Sequence, residues 1–183
     1  MIEIERRAAA ELRAAGNRLT GYAAVFNARS HDLGGFVETI RPGAFTRTLA
    51  AGADVVALYH HDARHVLGRT LSGTLRLAED ARGLRFDLDV ADTSAGRDVL
   101  ESVGRGDVTG ASFAFRSRKD EWSRDARPAV RTLIDVDLLD VTITPTPAYP
   151  DASVARRALD AQRAAPLALR RRRLDLARRR IGA

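Results

Sequence analysis

Apolar and polar positions alternate along much of this chain. In Leu84-Arg85-Phe86-Asp87-Leu88-Asp89-Val90 the residues Leu84, Phe86, Leu88 and Val90 share one face, the period-two signature of a half-buried strand. With residues 73–77 this segment predicts a hairpin around Glu79-Asp80-Ala81-Arg82-Gly83. Strand-like runs also cover residues 1–5, 19–26, 36–40, 54–59, 109–116, 129–134 and 136–144. Pro145, Pro147 and Pro150 end regular pairing. Helical signals are fewer. Residues 42–52 have Pro42 near their start and Gly52 at their end. Thr93 or Ser94 can cap a second helix reaching about Val103, with Val99, Leu100 and Val103 as its apolar stripe and Gly104 and Gly106 as its stop. The pattern predicts a β-rich α+β domain, a barrel or sandwich of roughly seven or eight strands with two helical inserts. From Val154 onward the chain is Ala, Leu and Arg at helical spacing without a well-formed apolar face, which reads as a solvated or partner-dependent helix.

Composition narrows the classes. A chain of 183 residues builds one full core and not two comfortable ones. The absence of cysteine excludes disulfides, thiolate zinc sites and a cysteine nucleophile. No apolar run reaches the length of a membrane span, and the N-terminus has no signal-peptide apolar region, so the sequence predicts a cytoplasmic protein. Its charge is unevenly placed. Residues 156–183 hold ten arginines and two aspartates, a formal +8 within a total of +6, so residues 1–155 carry −2. The slightly acidic body argues against a nucleic-acid surface on the globular part and leaves that role only to the tail.

Three segments carry candidate chemistry: Tyr59-His60-His61-Asp62, Gly110-Ala111-Ser112-Phe113-Ala114-Phe115 and Leu138-Leu139-Asp140-Val141-Thr142-Ile143. Together they offer a serine, a histidine and a carboxylate, the inventory for a nucleophile, its general base and the group that orients the base. Alternation sets Phe113 and Phe115 on one face and Ser112, Ala114 and Arg116 on the other, with small Gly110 and Ala111 leaving room for a substrate carbonyl. A strand serine bonded to a neighbouring carbonyl is the competing reading. Strand alternation sends His60 and His61 to opposite faces, so at most one serves Ser112 directly. His60, His61 and His65 form a cluster with metal-ligand spacing, but helix signals are weak there and no glutamate follows the first histidine. Asp140 is predicted to lie with Leu138 and Thr142, opposite Leu139, Val141 and Ile143. An acid in so apolar a strand needs a partner, either a histidine or one of the many arginines.

The motifs also carry a resemblance. Gly21-Tyr22-Ala23-Ala24-Val25-Phe26-Asn27, then Glu38-Thr39-Ile40-Arg41-Pro42-Gly43-Ala44-Phe45, His61-Asp62 with Leu67-Gly68-Arg69, Gly83-Leu84, the segment around Ser112 and Pro147-Ala148-Tyr149-Pro150 together resemble the prohead maturation proteases of tailed bacteriophages. The resemblance spans about residues 18–155. It implies a fold similar to the herpesvirus assemblins, a closed or partly open β-barrel of about seven strands ringed by helices. It further implies a serine endopeptidase that removes scaffolding segments from the major capsid protein, usually cleaves itself and is a candidate homo-oligomer, with no cofactor, metal or membrane partner. It places the action in the host cytoplasm, inside the assembling prohead. Carried over residue by residue, Ser112 is the nucleophile, His61 the base and Asp140 the third member, where most relatives have glutamate. Backbone amides near Ser112 and the Arg116 side chain are candidate oxyanion donors. Residues 1–155 would form the protease domain and 156–183 a basic, helical or flexible tail that is a candidate propeptide. Two alternatives stand beside this: an inactive capsid or scaffold component of the same fold, and a metal hydrolase built on the histidine cluster.

Overall fold

The computed structural model describes residues 4–9, 12–123 and 125–145. In chain order the elements are β1 (Glu5–Ala9), β2 (Leu12–Ala15), β3 (Arg18–Val25), β4 (Phe36–Ile40), α1 (Thr46–Ala50), β5 (Val56–Tyr59), β6 (Asp62–Arg69), β7 (Leu75–Glu79), β8 (Gly83–Asp89), α2 (Ser94–Arg105), β9 (Gly110–Ser123) and β10 (Ala129–Thr144). One sheet has the order β1-β9-β10-β5-β6, with β4 also on β10; the other runs β2-β3-β8-β7. A single core draws Phe113, Phe115, Val136 and Ile143 from the first sheet and Leu19, Phe86 and Leu88 from the second.

The β-rich reading holds, but the closed barrel does not: among the described residues ten strands form two separate sheets. The chain changes sheet four times, between β1 and β2, β3 and β4, β6 and β7, and β8 and β9, and no ladder joins the two sheets among the described residues. Alternation shows that a strand is half-buried, not which edges pair, so closure was not readable from it. Nor do helices ring the sheets. Two occur among the described residues, and α1 is only five residues long. The predicted second helix matches α2 closely: the Thr93 side chain accepts from the Gly96 N–H, and Gly106 closes the helix in the left-handed conformation at φ 82°. The basic tail and the Pro147–Pro150 run lie outside the described residues.

Strand β10 organises the larger sheet. Its full length pairs antiparallel with β9, while its other edge pairs parallel with β4 near its start and with β5 near its end. The stretch between those partners is sealed by α1 and the turn before it. Val136 N–H donates to the Ala44 carbonyl, the Thr48 hydroxyl donates to the Val136 carbonyl at 2.7 Å, and Leu138 N–H donates back to that hydroxyl. A buried threonine thus replaces a missing strand. Thr48→Val should lower unfolding free energy by about 2 kcal/mol, because two buried backbone groups lose their partner, while Thr48→Ser should keep most of the stability. Chemical denaturation checks both; equal stability of Thr48→Val and wild type would refute the role.

The two runs predicted over 129–134 and 136–144 are one strand with register shifts at Leu133/Asp135, Asp135/Val136 and Leu138/Asp140. Two of the shifts insert a residue in β10, and the one between them inserts a residue in β9; the β10 insertions reset the alternation, so Leu133, Val136, Leu138, Val141 and Ile143 are all buried in the core. This corrects the predicted faces: Leu138 belongs to the core, and Leu139 is the inserted residue ahead of Asp140.

At the outer edge of that sheet, β1 is held by buried charges. The Arg7 guanidinium bonds both oxygens of Glu38, at 2.7 and 2.9 Å, and reaches Glu5. Arg131 bonds Glu5, Glu38 and Asp120. Burial pushes the Glu38 carboxyl above its ordinary pKa despite the pull of the two guanidiniums. For Arg131 burial works the other way, and its carboxylate partners overcome it and raise its pKa.

Candidate active site

His61 owes its position to a tight turn. Tyr59 pairs with Asp62 across the β5–β6 hairpin, and the two residues between them, His60 and His61, both have φ of 56°. A two-residue hairpin with positive φ at both centres matches the right-handed twist of its strands, and Asn-Gly would fill it without strain. Two histidines there carry a conformational cost of the kind found at functional sites. The expectation that His60 and His61 alternate on a strand is therefore corrected: they form the turn itself. His60 N–H donates to the Ile143 carbonyl at 3.1 Å, which ties the turn to β10 one residue from Thr142. The His60 ring packs against Tyr59 at a tilt of 46°, with centroids 4.0 Å apart.

Below the turn lie β9 and β10. Ser112 stands directly opposite Thr142 in their antiparallel ladder, and Asp140 precedes Thr142 by two residues on the same strand face. Phe113 and Phe115 point into the core, as the alternation predicts, so Ser112 faces away from it. All three candidate residues meet. His61 Nε2 lies 2.9 Å from Ser112 Oγ, and His61 Nδ1 lies 2.9 Å from Asp140 Oδ1. An ionised carboxylate only accepts, so Nδ1 carries the proton and Nε2 presents its lone pair to the serine.

Two further groups complete the arrangement. Thr142 Oγ1 is 2.9 Å from Asp140 Oδ1 and 3.1 Å from His61 Nδ1. The Arg7 carbonyl, on β1, accepts from Ser112 Oγ at 2.8 Å. The serine hydroxyl has one proton and two acceptors, Arg7 O and His61 Nε2, and its side chain is fully buried. Neither group was found by sequence reasoning. Thr142 could have been, since it shares a face with Asp140 in the predicted strand; the Arg7 carbonyl depends on β1 pairing with β9, which no motif signals.

The remaining candidates separate from this centre. His65 is about half exposed and lies 3.5 Å from Asp62. Arg64 binds the Asp62 carboxylate with its side chain and backbone and holds it well below the usual carboxylate range. Burial lowers the pKa of His60, with smaller contributions from His65 and His61. Among the described residues no three His, Asp or Glu side chains converge to hold a metal. Arg116 shares the Ser112 face but stands four residues along β9, roughly 13 Å away at the backbone, opposite Asp137.

A hydroxyl, an imidazole and a carboxylate in hydrogen-bonded series on a rigid β scaffold are what the class of serine-nucleophile hydrolases requires. Within it, the chain belongs to the caudovirus prohead serine proteases, whose family model matches residues 3–165. No curated protein and no solved structure matches the chain.

Proposed function

We propose that the chain is an endopeptidase acting inside the assembling phage head, where it removes scaffolding segments from the major capsid protein and trims itself. The observation that supports this reading most is the Asp140–His61–Ser112 series, with both links at 2.9 Å, in a chain of a serine protease family. In this mechanism His61 Nε2 takes the Ser112 proton as Oγ attacks the peptide carbonyl. The resulting imidazolium is stabilised by Asp140 and returns the proton to the leaving amine. Water, deprotonated by His61 in turn, hydrolyses the acyl-enzyme and restores Ser112. Since Ser112 is fully buried, a substrate carbonyl reaches Oγ only after the surrounding chain shifts. No helix among the described residues is long and apolar enough to cross a membrane.

The test is co-expression of the chain with the major capsid protein of the same phage, followed by intact-mass measurement of both. Wild type should shorten the capsid protein and lose residues from its own chain, and Ser112→Ala should leave both whole. If wild type leaves both proteins at full length, the protease reading fails and an inactive assembly component takes its place. Chelator-sensitive cleavage that survives Ser112→Ala would favour the histidine-cluster metal hydrolase instead.

A further inference from the structure

We infer that Thr142 is a positioning residue of this site, a fourth member that locks the Asp140 carboxylate and the His61 ring into register; the inference rests on the proposed protease reading. Three hydrogen bonds close a small ring. Asp140 Oδ1 lies 2.9 Å from His61 Nδ1 and 2.9 Å from Thr142 Oγ1, and Oγ1 lies 3.1 Å from the same Nδ1. Proton counting assigns every role. The carboxylate can only accept, so the Thr142 hydroxyl donates its single proton to Oδ1. Its lone pair then faces Nδ1, which must be the protonated nitrogen, shared between Oδ1 and Oγ1.

The fold explains why such a residue is needed. Asp140 follows the register shift at Leu138/Asp140, where the ladder is interrupted, and His61 sits on a turn rather than within a strand. Asp140 is paired with Ala114 and Val56 but stands at the irregularity itself, and His61 lies in the turn between the paired Tyr59 and Asp62. Thr142 lies in the regular ladder beyond the shift: its backbone pairs with Ser112 on one side and with Leu58 on the other, and its side chain is fully buried. Its branched side chain also has few rotamers. The hydroxyl therefore refers the Asp140–His61 pair to the strand frame that carries Ser112. When His61 becomes a cation during acyl transfer, Oγ1 still accepts from Nδ1–H, so the contact strengthens as charge develops.

The experiment uses the full-length protein and a fluorophosphonate, which phosphonylates an activated serine oxygen with loss of fluoride while the base takes the hydroxyl proton. Thr142→Val keeps the shape and removes the hydroxyl. The saturating labelling rate should fall roughly 10- to 100-fold, the effect of losing a hydrogen bond to a charged group, with the half-saturating concentration unchanged. Thr142→Ser should restore most of that rate. In parallel, the His61 Nδ1–H proton resonance is recorded in Ser112→Ala and in Ser112→Ala/Thr142→Val; the second should show it displaced and exchanging faster with water. A wild-type labelling rate in Thr142→Val overturns the inference, as does a folded Thr142→Ser that is as slow as Thr142→Val, which would reduce Thr142 to packing. If wild type is not labelled at all, the protease reading falls by itself. The resonance then decides: an unchanged signal in the double variant overturns the positioning role, and a displaced one sustains it.

Discussion

On the proposed protease reading, Ser112→Ala is expected to lower cleavage of the capsid protein by roughly 10⁶-fold, and His61→Ala by as much, with the double variant no worse than either alone. The reason is the single series of hydrogen bonds. Ser112 Oγ and His61 Nε2 share one proton at 2.9 Å, so each is without use once the other is gone. Asp140→Asn should be milder, roughly 10⁴-fold, because the serine and imidazole remain but the ring loses the partner that fixes its tautomer. An amide can donate its NH₂ to Nδ1, which selects the tautomer with the proton on Nε2 and leaves no base facing Ser112. His60→Ala should have a far smaller effect, since that ring lies on Tyr59 and bonds none of the three. Time courses at equal protein concentration, read by intact mass, give all five rates. Additive losses in the double variant, or an Asp140→Asn protein as fast as wild type, would show that the three residues do not act as one unit.

What the sequence disclosed of this site follows from where its strands are regular. Around Ser112, β9 alternates without interruption, and the face of the serine could be read from Phe113 and Phe115. The same holds for β8 and for the caps of α2, whose signals are local. Reading failed where one inserted residue resets the phase. In β10 the insertion at Leu139 exchanges the roles of Leu138 and Leu139, and only the ladder with β9 reveals it. The His60-His61 turn was hidden for another reason: it uses neither glycine nor asparagine, so its positive φ values leave no trace in residue type. Strand β6 was missed because it is an edge strand with mostly exposed residues and no apolar alternation. Sheet closure was overestimated because edge pairing depends on distant partners. Burial of Glu5, Arg7, Glu38 and Arg131 was equally invisible, since each reads in isolation as a solvated charge.

That buried cluster sets the largest expected stability effect. In it three carboxylates, Glu5, Glu38 and Asp120, face two guanidiniums, Arg7 and Arg131. Arg131→Met removes the cation that touches all three acids and leaves an excess of buried negative charge, at a cost of about 3–5 kcal/mol. For a chain of this size that is a fall in Tm of about 10 °C. Glu38→Gln should cost much less. Burial already raises the Glu38 pKa, so the fold disfavours its charge, and the amide keeps its shape while removing one of the three negative groups. The pH dependence has a definite sign. A carboxyl whose folded pKa lies above its unfolded one contributes stability present below the unfolded value and lost as pH rises through the folded value. Losing Arg131 raises the Glu38 pKa further, so the gap between Arg131→Met and wild type should be widest at neutral pH and narrow below about pH 5. Thermal unfolding across that range is the measurement, and a gap that stays constant or widens in acid would exclude the charge explanation. The consequence reaches Ser112, the proposed nucleophile. Glu5 and Arg7 are both on β1, and the Arg7 carbonyl holds the Ser112 hydroxyl, so a variant that frees β1 also frees that proton for His61.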